Sequence, residues 1–319
     1  MNNLIILITC ISISMAKEGK IGGITYFDYS KTEDKSAFNF NRQYFSYTGD
    51  NAENINYKIV FDVGRTNVGG AMKEKGYSYI SEDTRLVVFL KKAQIDYKSS
   101  YGKVSMGLIG TNTYGVQEKN WGYRFIEKSA IDGYGFSSTA DIGVGFSRSL
   151  IENLNISLQV VNGEGFKQPQ GDKYHKISFN TTYGERRLNN NDGYNTGIVY
   201  STEATDGDPT NMLSAFGGFS GMGLRIGAEY DMLTIGSTES SIISVSANYS
   251  FMDNKDIFLR YDIYDKNTSV EADGSSYIIT GILISCGNGL SVAPNIRIES
   301  FENDSDSKTE YKINFQFKF

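Results

Sequence analysis

Histidine, cysteine and proline are scarce in this chain, which has 1 His, 2 Cys and 3 Pro among 319 residues. With His175 as the only histidine, the chain has no Cys/His cluster for zinc, and a His-based catalytic triad is not expected. The mean hydropathy is negative, which excludes a bundle of membrane-spanning helices. A net charge of −6 and the lack of a Lys/Arg cluster argue against nucleic acid as the main partner.

Glycine and aromatic residues are abundant instead, with 34 Gly, 22 Tyr and 19 Phe. So many aromatic side chains exclude a chain that is disordered throughout. The length fits either two ordinary domains or one large closed sheet.

The first residues have the pattern of a secretory signal. Residues 4–16 form an uncharged apolar run that ends in Ser14-Met15-Ala16, a small-x-small cleavage pattern. We therefore expect a signal peptide over 1–16 and a single domain over 17–319. Cleavage there removes Cys10 and leaves Cys286 alone, so no internal disulfide is expected.

Apolar and polar residues alternate along many segments, as in β-strands with one wet face and one apolar face. At the end of the chain, Tyr311, Ile313, Phe315, Phe317 and Phe319 alternate with Lys312, Asn314, Gln316 and Lys318. The same repeat predicts about sixteen strands. Their predicted spans are 21–29, 38–48, 55–64, 87–99, 102–110, 138–148, 153–163, 174–184, 193–203, 211–218, 222–233, 240–251, 254–265, 275–286, 289–300 and 309–319.

The connections between these strands alternate in length. Tight turns such as 100–101 and 287–288 alternate with long loops such as 65–85 and 111–137, as in outer-membrane barrels. A soluble sandwich or propeller is the alternative, but the many tandem hairpins and the lack of a blade-length repeat argue against both. We therefore predict an all-β fold, a transmembrane antiparallel β-barrel integral to a Gram-negative outer membrane. Sixteen tilted strands enclose a bore about 30 Å wide, which we expect to hold water.

Several segments occur in an order that resembles the phosphate-selective porin O/P family. They are FNFNRQYFSYTG (38–49), INYKIVFDVG (55–64), FLKKAQIDYKSSYGKVSMGLIG (89–110), FIEKS (125–129), DIGVGFS (141–147) and VNGEG (161–165). The resemblance implies a sixteen-stranded, usually trimeric channel whose third long loop folds into the lumen and narrows it.

That third long loop is 111–137 in this chain, and its charges are the candidate constriction. The resemblance makes Lys119, Arg124 and Lys128 the cationic residues of the neck, opposed by Glu118 and Glu127. Close rings of charge set ion selectivity in a narrow, low-dielectric neck. The alternative is a surface loop whose charges are solvated.

Charged residues on the polar faces of the strands are expected to line the pore. The bases are Arg42, Lys58, Lys92, Lys98, Lys176, Arg225, Arg260 and Arg297, and the acids are Asp62, Asp96, Asp141, Glu229, Asp262 and Glu299. A phosphate ladder would have runs of bases with few acids between them. The mixture found here predicts cross-strand pairing. Lys119, Arg124 and Lys128 against this acidic background predict a weak anion preference or little selectivity.

These observations predict a passive porin for small hydrophilic solutes and ions, with no cofactor, no metal and no catalysis. The alternatives are a structural or adhesive barrel with a plugged lumen and a barrel lipase or protease, which would need a nucleophile beside a positioned base. Expected partners are outer-membrane lipid and the barrel-assembly machinery, the latter through Phe319. Glu302, Asp304 and Asp306 form either a solvated loop or a site for divalent ions shared with lipopolysaccharide.

Overall fold

The computed structural model describes residues 19–65, 68–74, 77–83, 86–303 and 305–319. The predicted signal peptide and Asp304 lie outside these described residues. Among them, no helix is both long enough and apolar enough to cross a membrane.

The described residues form eighteen strands and two short helices. In chain order they are β1 (Lys20–Lys31), β2 (Ser36–Ala52), β3 (Ile55–Arg65), β4 (Val68–Glu74), β5 (Tyr77–Asp83), β6 (Leu86–Ser99), β7 (Gly102–Gly110), α1 (Gln117–Trp121), α2 (Ala130–Gly133), β8 (Ala140–Ile151), β9 (Leu154–Val161), β10 (Lys176–Gly184), β11 (Gly193–Glu203), β12 (Thr210–Gly221), β13 (Leu224–Ile235), β14 (Thr238–Met252), β15 (Lys255–Asp265), β16 (Ser275–Gly287), β17 (Leu290–Phe301) and β18 (Lys308–Lys318).

Sixteen of these strands close into one antiparallel barrel, in which β3 pairs with β6 and β18 returns to β1. The predicted transmembrane β-barrel of sixteen strands is confirmed, because each predicted span overlaps one barrel strand. The predicted long connection at 65–85 carries a two-stranded hairpin of β4 and β5, which is separate from the barrel.

Apolar side chains cover the outer wall of the barrel. On β14 and β15, for example, Ile243, Val245, Ile257 and Leu259 are each 45–49% exposed, whereas Phe258 is fully buried on the inner side. So large an exposed apolar surface on a closed sheet is stable where lipid covers it. The prediction of an integral outer-membrane barrel is thereby confirmed.

Two β-bulges reverse which residues face inward. In β2, the pairing with β1 shifts so that Asn41 is an extra residue between Phe40 and Arg42. In β6, the pairing with β3 shifts in the same way at Lys91, between Leu90 and Lys92. A bulge inserts one residue into one strand, so two consecutive side chains can share a face.

Apolar packing between the third long loop and the inner wall fills part of the interior. One cluster joins Trp121, Tyr123 and Phe125 to Phe258 and Ile279 of the wall. A second cluster joins Val116, Ala130, Ile131 and Phe136 to Val199, Met212, Phe216 and Ile242. Both clusters attach the third long loop to the inside of the barrel.

Candidate pore and its constriction

The connection between β7 and β8 enters the barrel and carries both helices. We call residues 111–139 the constriction loop. Helix α1 ends at Gly122, which has φ 79° and donates its N–H to the Glu118 carbonyl at 2.8 Å. A left-handed residue at this position ends a helix, and glycine adopts it without strain. A Cβ on Gly122 would also collide with the Arg225 guanidinium.

Arg297 of β17 fixes the constriction loop from the wall. Its Nη1 donates to Glu127 Oε2 at 2.6 Å, and its Nη2 donates to the Ile126 carbonyl at 2.6 Å. Its Nε donates to Asn295 Oδ1 at 2.9 Å. The guanidinium is therefore occupied by the loop and by its own strand. Arg297 contributes to the shape of the pore more than to its free charge.

Two further wall arginines bind loop carbonyls. Arg260 Nη1 donates a hydrogen bond to the Lys128 carbonyl. Its Nε and Nη2 donate to Asp262 Oδ1 and Oδ2 at 2.8 Å and 2.6 Å. Arg225 Nη2 donates to the Trp121 carbonyl at 3.1 Å. A guanidinium presents several donors in a rigid fork, which suits it to hold a carboxylate and a carbonyl together.

Asparagines complete this set of anchors. Asn120 and Asn195 exchange two amide hydrogen bonds of 2.9 Å and 2.8 Å. Asn248 and Asn314 donate to the carbonyls of Trp121 and Phe125 at 3.1 Å and 3.2 Å. Buried backbone carbonyls need such partners, because water does not reach them.

Aromatic packing supports the same contact. The rings of Trp121, Tyr123 and Phe258 meet edge to face with centroids 5.5 to 6.1 Å apart. Tyr123 also donates its hydroxyl to Asp256 Oδ2 at 2.6 Å. Polar and apolar contacts thus hold the loop against the far side of the barrel, from β9 to β18.

The opposite side of the loop leaves a gap. Within the described ranges, no hydrogen bond joins the constriction loop to β1, β2, β3 or β6. A cavity of about 380 Å³ lies there, between the loop and these strands. Its charged lining consists of Lys58, Lys91, Lys92, Lys119, Arg124, Lys318 and Glu118. Six bases and one acid therefore line this gap beside the constriction loop.

The five predicted constriction residues fall into three groups. Arg124 lies at the gap but pairs with Glu118 and Asp132, both at 3.1 Å. Lys119 also lines the gap and makes no ion pair in the part of the chain that the structure describes. Lys128 lies 3.9 Å from Asp132. Glu127 lies behind the loop on Arg297, where burial opposes its ionisation but the arginine holds its pKa below the usual value.

The predicted pore-lining residues divide in a similar way. Lys58 and Lys92 line the gap. Several others form ion pairs along the wall, namely Arg42 with Asp62 at 2.6 Å, Asp96 with Lys103 at 3.4 Å, Lys176 with Glu203 at 3.1 Å and Glu299 with Lys308 at 4.0 Å.

The remaining predicted residues lie away from the gap. Arg225, Arg260 with Asp262, and Arg297 anchor the loop, as described above. Asp141 Oδ2 accepts the backbone N–H groups of Gly163 and Gly165 at 2.7 Å and 3.3 Å, so it shapes the connection after β9. Glu229 lies in a small enclosed space with Gln117 and Arg260. Lys98 is exposed near the end of β6.

Lys91 is a gap residue that strict alternation misses. Its ammonium lies 3.7 Å from the Asp62 carboxylate and 5.2 Å from the centre of the Tyr44 ring. The bulge in β6 turns Lys91 inward beside Lys92. The sequence carries a signal for it, because the exposed apolar residues change from Val88 and Leu90 to Ile95 and Tyr97, from even to odd numbers.

The fold and the narrowed bore define the class of structure: a sixteen-stranded barrel of the outer-membrane porin architecture. Comparison with protein-family models and with curated proteins gives no match. Solved structures with this architecture do match over nearly their whole length.

Three of these solved structures show the degree of similarity to this chain. The trimer form of OmpT, an outer membrane protein of Vibrio cholerae, has TM-score 0.69 and 11% identity, with 95% of this chain and 99% of that chain covered. Salmonella typhi OmpF, solved in complex with daunomycin, has TM-score 0.66 and 12% identity, covering 97% and 99%. An anion-selective porin from Comamonas acidovorans has TM-score 0.64 and 9% identity, covering 95% and 99%.

At such identities the likeness shows the fold. Porins as a class are therefore supported as structural relatives, while membership of the phosphate-selective O/P family stays a prediction.

Proposed function

We propose that this chain is an outer-membrane porin that lets small hydrophilic solutes and ions diffuse passively through the gap beside the constriction loop. A closed barrel with an apolar outside and a polar, loop-narrowed bore supports this role. The chain itself does no chemistry in this proposal. It supplies a wet path of limited width across the lipid.

We further propose that the channel prefers anions weakly. The observation that carries this is the lining of the gap, where six bases face Glu118. Part of this positive charge is offset, because Arg124 pairs with Glu118 and Asp132, and Lys91 lies near Asp62. Lys58, Lys92 and Lys119, with Lys318 near the end of β18, remain as the positive field of the gap. Close charges in a narrow neck set ion preference. Phosphate-type anions belong to this range of solutes.

The remaining partners are proposals as well. A homotrimer is proposed because the OmpT neighbour is described in a trimer form. The apolar outer wall would contact outer-membrane lipid and lipopolysaccharide. The barrel-assembly machinery would recognise the last strand, with Phe319 at its end. Cleavage after Ala16 would remove the apolar start of the chain.

Two measurements on the refolded protein test pore formation. Proteoliposomes should swell in isotonic solutions of small uncharged sugars, at rates that fall as the sugar grows. Planar bilayers should show stepwise conductance increases in KCl. A barrel that inserts into lipid yet shows neither swelling nor current steps would contradict the porin proposal and favour a plugged, structural barrel.

A further inference from the structure

The connection between β10 and β11 differs from the tight turns on the same rim. It spans residues 185–192, and Leu188 within it is only 1% exposed. A Cβ on Gly218 of β12 would meet the Leu188 side chain at 2.8 Å, so this leucine packs on the inner wall. Asn195 Nδ2 donates to the Glu185 carbonyl at 2.7 Å and to Asn120 at 2.8 Å. The segment is thus folded into the barrel and joined to the constriction loop through Asn195.

This inward segment encloses a second cavity of about 770 Å³ with helix α1 and the turn-side ends of the wall. Its bases are Lys103, Lys119, Arg186 and Arg187, and its acids are Glu185 and Asp192. Lys119 also lines the gap described above, so this residue borders both spaces.

The two acids of the cavity accept hydrogen bonds from neutral groups and keep their charge, but the bases that lack an ion pair outnumber them. Glu185 Oε1 accepts the Arg187 backbone N–H at 2.7 Å, and Asp192 accepts from Ser220 Oγ at 3.4 Å. Lys103 pairs with Asp96. Within the described ranges, Lys119, Arg186 and Arg187 make no ion pair, which leaves three positive side chains around one wet space.

These three charges also oppose one another. Burial and then the neighbouring Arg187 lower the pKa of Arg186. Burial lowers the pKa of Lys119 as well, with Arg187 and Arg186 adding to the effect and Glu118 opposing it. Like charges held close together around one cavity favour an anion that neutralises them.

We infer that this turn-side cavity binds small multivalent oxyanions, with Arg186, Arg187 and Lys119 as the binding cations. The inference rests on the proposed channel function, since the ion reaches the cavity through the bore. Arginine suits this ligand class, because its planar fork donates two parallel hydrogen bonds to phosphate or carboxylate oxygens. The site lies on the turn side of the constriction, so access from the two faces of the membrane is unequal.

Current block by pyrophosphate tests the inference. In oriented single channels in KCl, pyrophosphate added on the turn side should reduce the chloride current at lower concentration than when it is added on the loop side. Monovalent acetate should block far more weakly from either side. The double variant Arg186→Gln/Arg187→Gln should weaken turn-side block by about tenfold or more.

The matched control is Arg148→Gln/Lys255→Gln, which removes the same two charges near the same rim but outside the cavity. It should leave turn-side block unchanged. Normal KCl conductance in both double variants shows that each has folded. Equal block from the two sides, or equal block in the two double variants, overturns the oxyanion site and leaves the porin proposal intact. Absence of any conductance in the unaltered protein overturns the porin proposal itself.

Discussion

Arg297 and Glu127 lie 170 residues apart in the chain and meet at 2.6 Å inside the barrel. The same guanidinium holds the Ile126 carbonyl at 2.6 Å. Arg297 is 6% exposed at its side chain and Glu127 is 23% exposed, so the pair is largely withdrawn from water. This contact attaches the constriction loop to β17.

Arg297→Gln should therefore release the loop and widen the pore. The substitution should lower the free energy of unfolding by about 3 kcal/mol, because it leaves the largely buried Glu127 carboxylate without its guanidinium partner. Single-channel recordings should show a larger and noisier conductance, and thermal unfolding in detergent should shift to lower temperature. Arg148→Gln, near the turn-side end of β8, should change neither the conductance nor the unfolding temperature. If Arg297→Gln and Arg148→Gln behave identically, the loop is attached elsewhere.

Lys119 should determine ion preference more than Lys128 does. Lys119 lines the gap with no ion pair among the described residues, whereas Lys128 lies 3.9 Å from Asp132. Lys119→Glu should move the reversal potential in a KCl gradient clearly toward cations, and Lys128→Glu should move it less. The reverse order would show that the open path runs along α2 instead of α1.

Arg124 offers a related comparison. It bridges Glu118 and Asp132, so Arg124→Glu both reverses a charge and places three acids together. The reversal potential should shift toward cations by more than for Lys119→Glu, with some loss of stability from like-charge repulsion. An unchanged reversal potential would mean that this loop does not line the neck.

The bulge in β6 turns Lys91 toward the bore, where alternation predicts lipid contact. In a background with Cys10 and Cys286 replaced by serine, Lys91→Cys should react with a membrane-impermeant, negatively charged thiol reagent. The reaction should alter conductance, because it places a negative charge among the bases of the gap. The matched control, Leu90→Cys, is 39% exposed on the outer wall and should stay unmodified. Reaction at position 90 alone would show that the bulge is misplaced.

Anion preference should also depend on pH through Lys119. Burial is the largest cause that lowers its pKa, and the ammonium is charged only below that pKa. The preference should accordingly be fullest at lower pH and decline as pH rises through a range below that of an ordinary lysine. Lys119→Gln should remove this dependence, and its persistence in the variant would assign the titration to another base.

The strand number and the two faces of the barrel could be predicted from the sequence because lipid and water impose a strict period of two. A strict period of two does not predict the bulges at Asn41 and Lys91. The sequence still carries a sign of both, because the exposed apolar residues change from even-numbered to odd-numbered positions across each bulge.

The roles of the wall charges could not be predicted in the same way. Arg225, Arg260 and Arg297 carry the pattern of pore residues, and only the path of the loop turns them into anchors. That path depends on contacts between residues more than a hundred positions apart, such as Tyr123 with Asp256. Sequence alternation contains no information about such pairs.

The reversal potential of the unaltered channel in a KCl gradient tests the central claim most directly. The account predicts single channels that conduct in steps and a zero-current voltage whose sign shows chloride passing more readily than potassium. A zero-current voltage of the opposite sign, with potassium clearly preferred, would contradict the proposal that Lys58, Lys92 and Lys119 govern the open path.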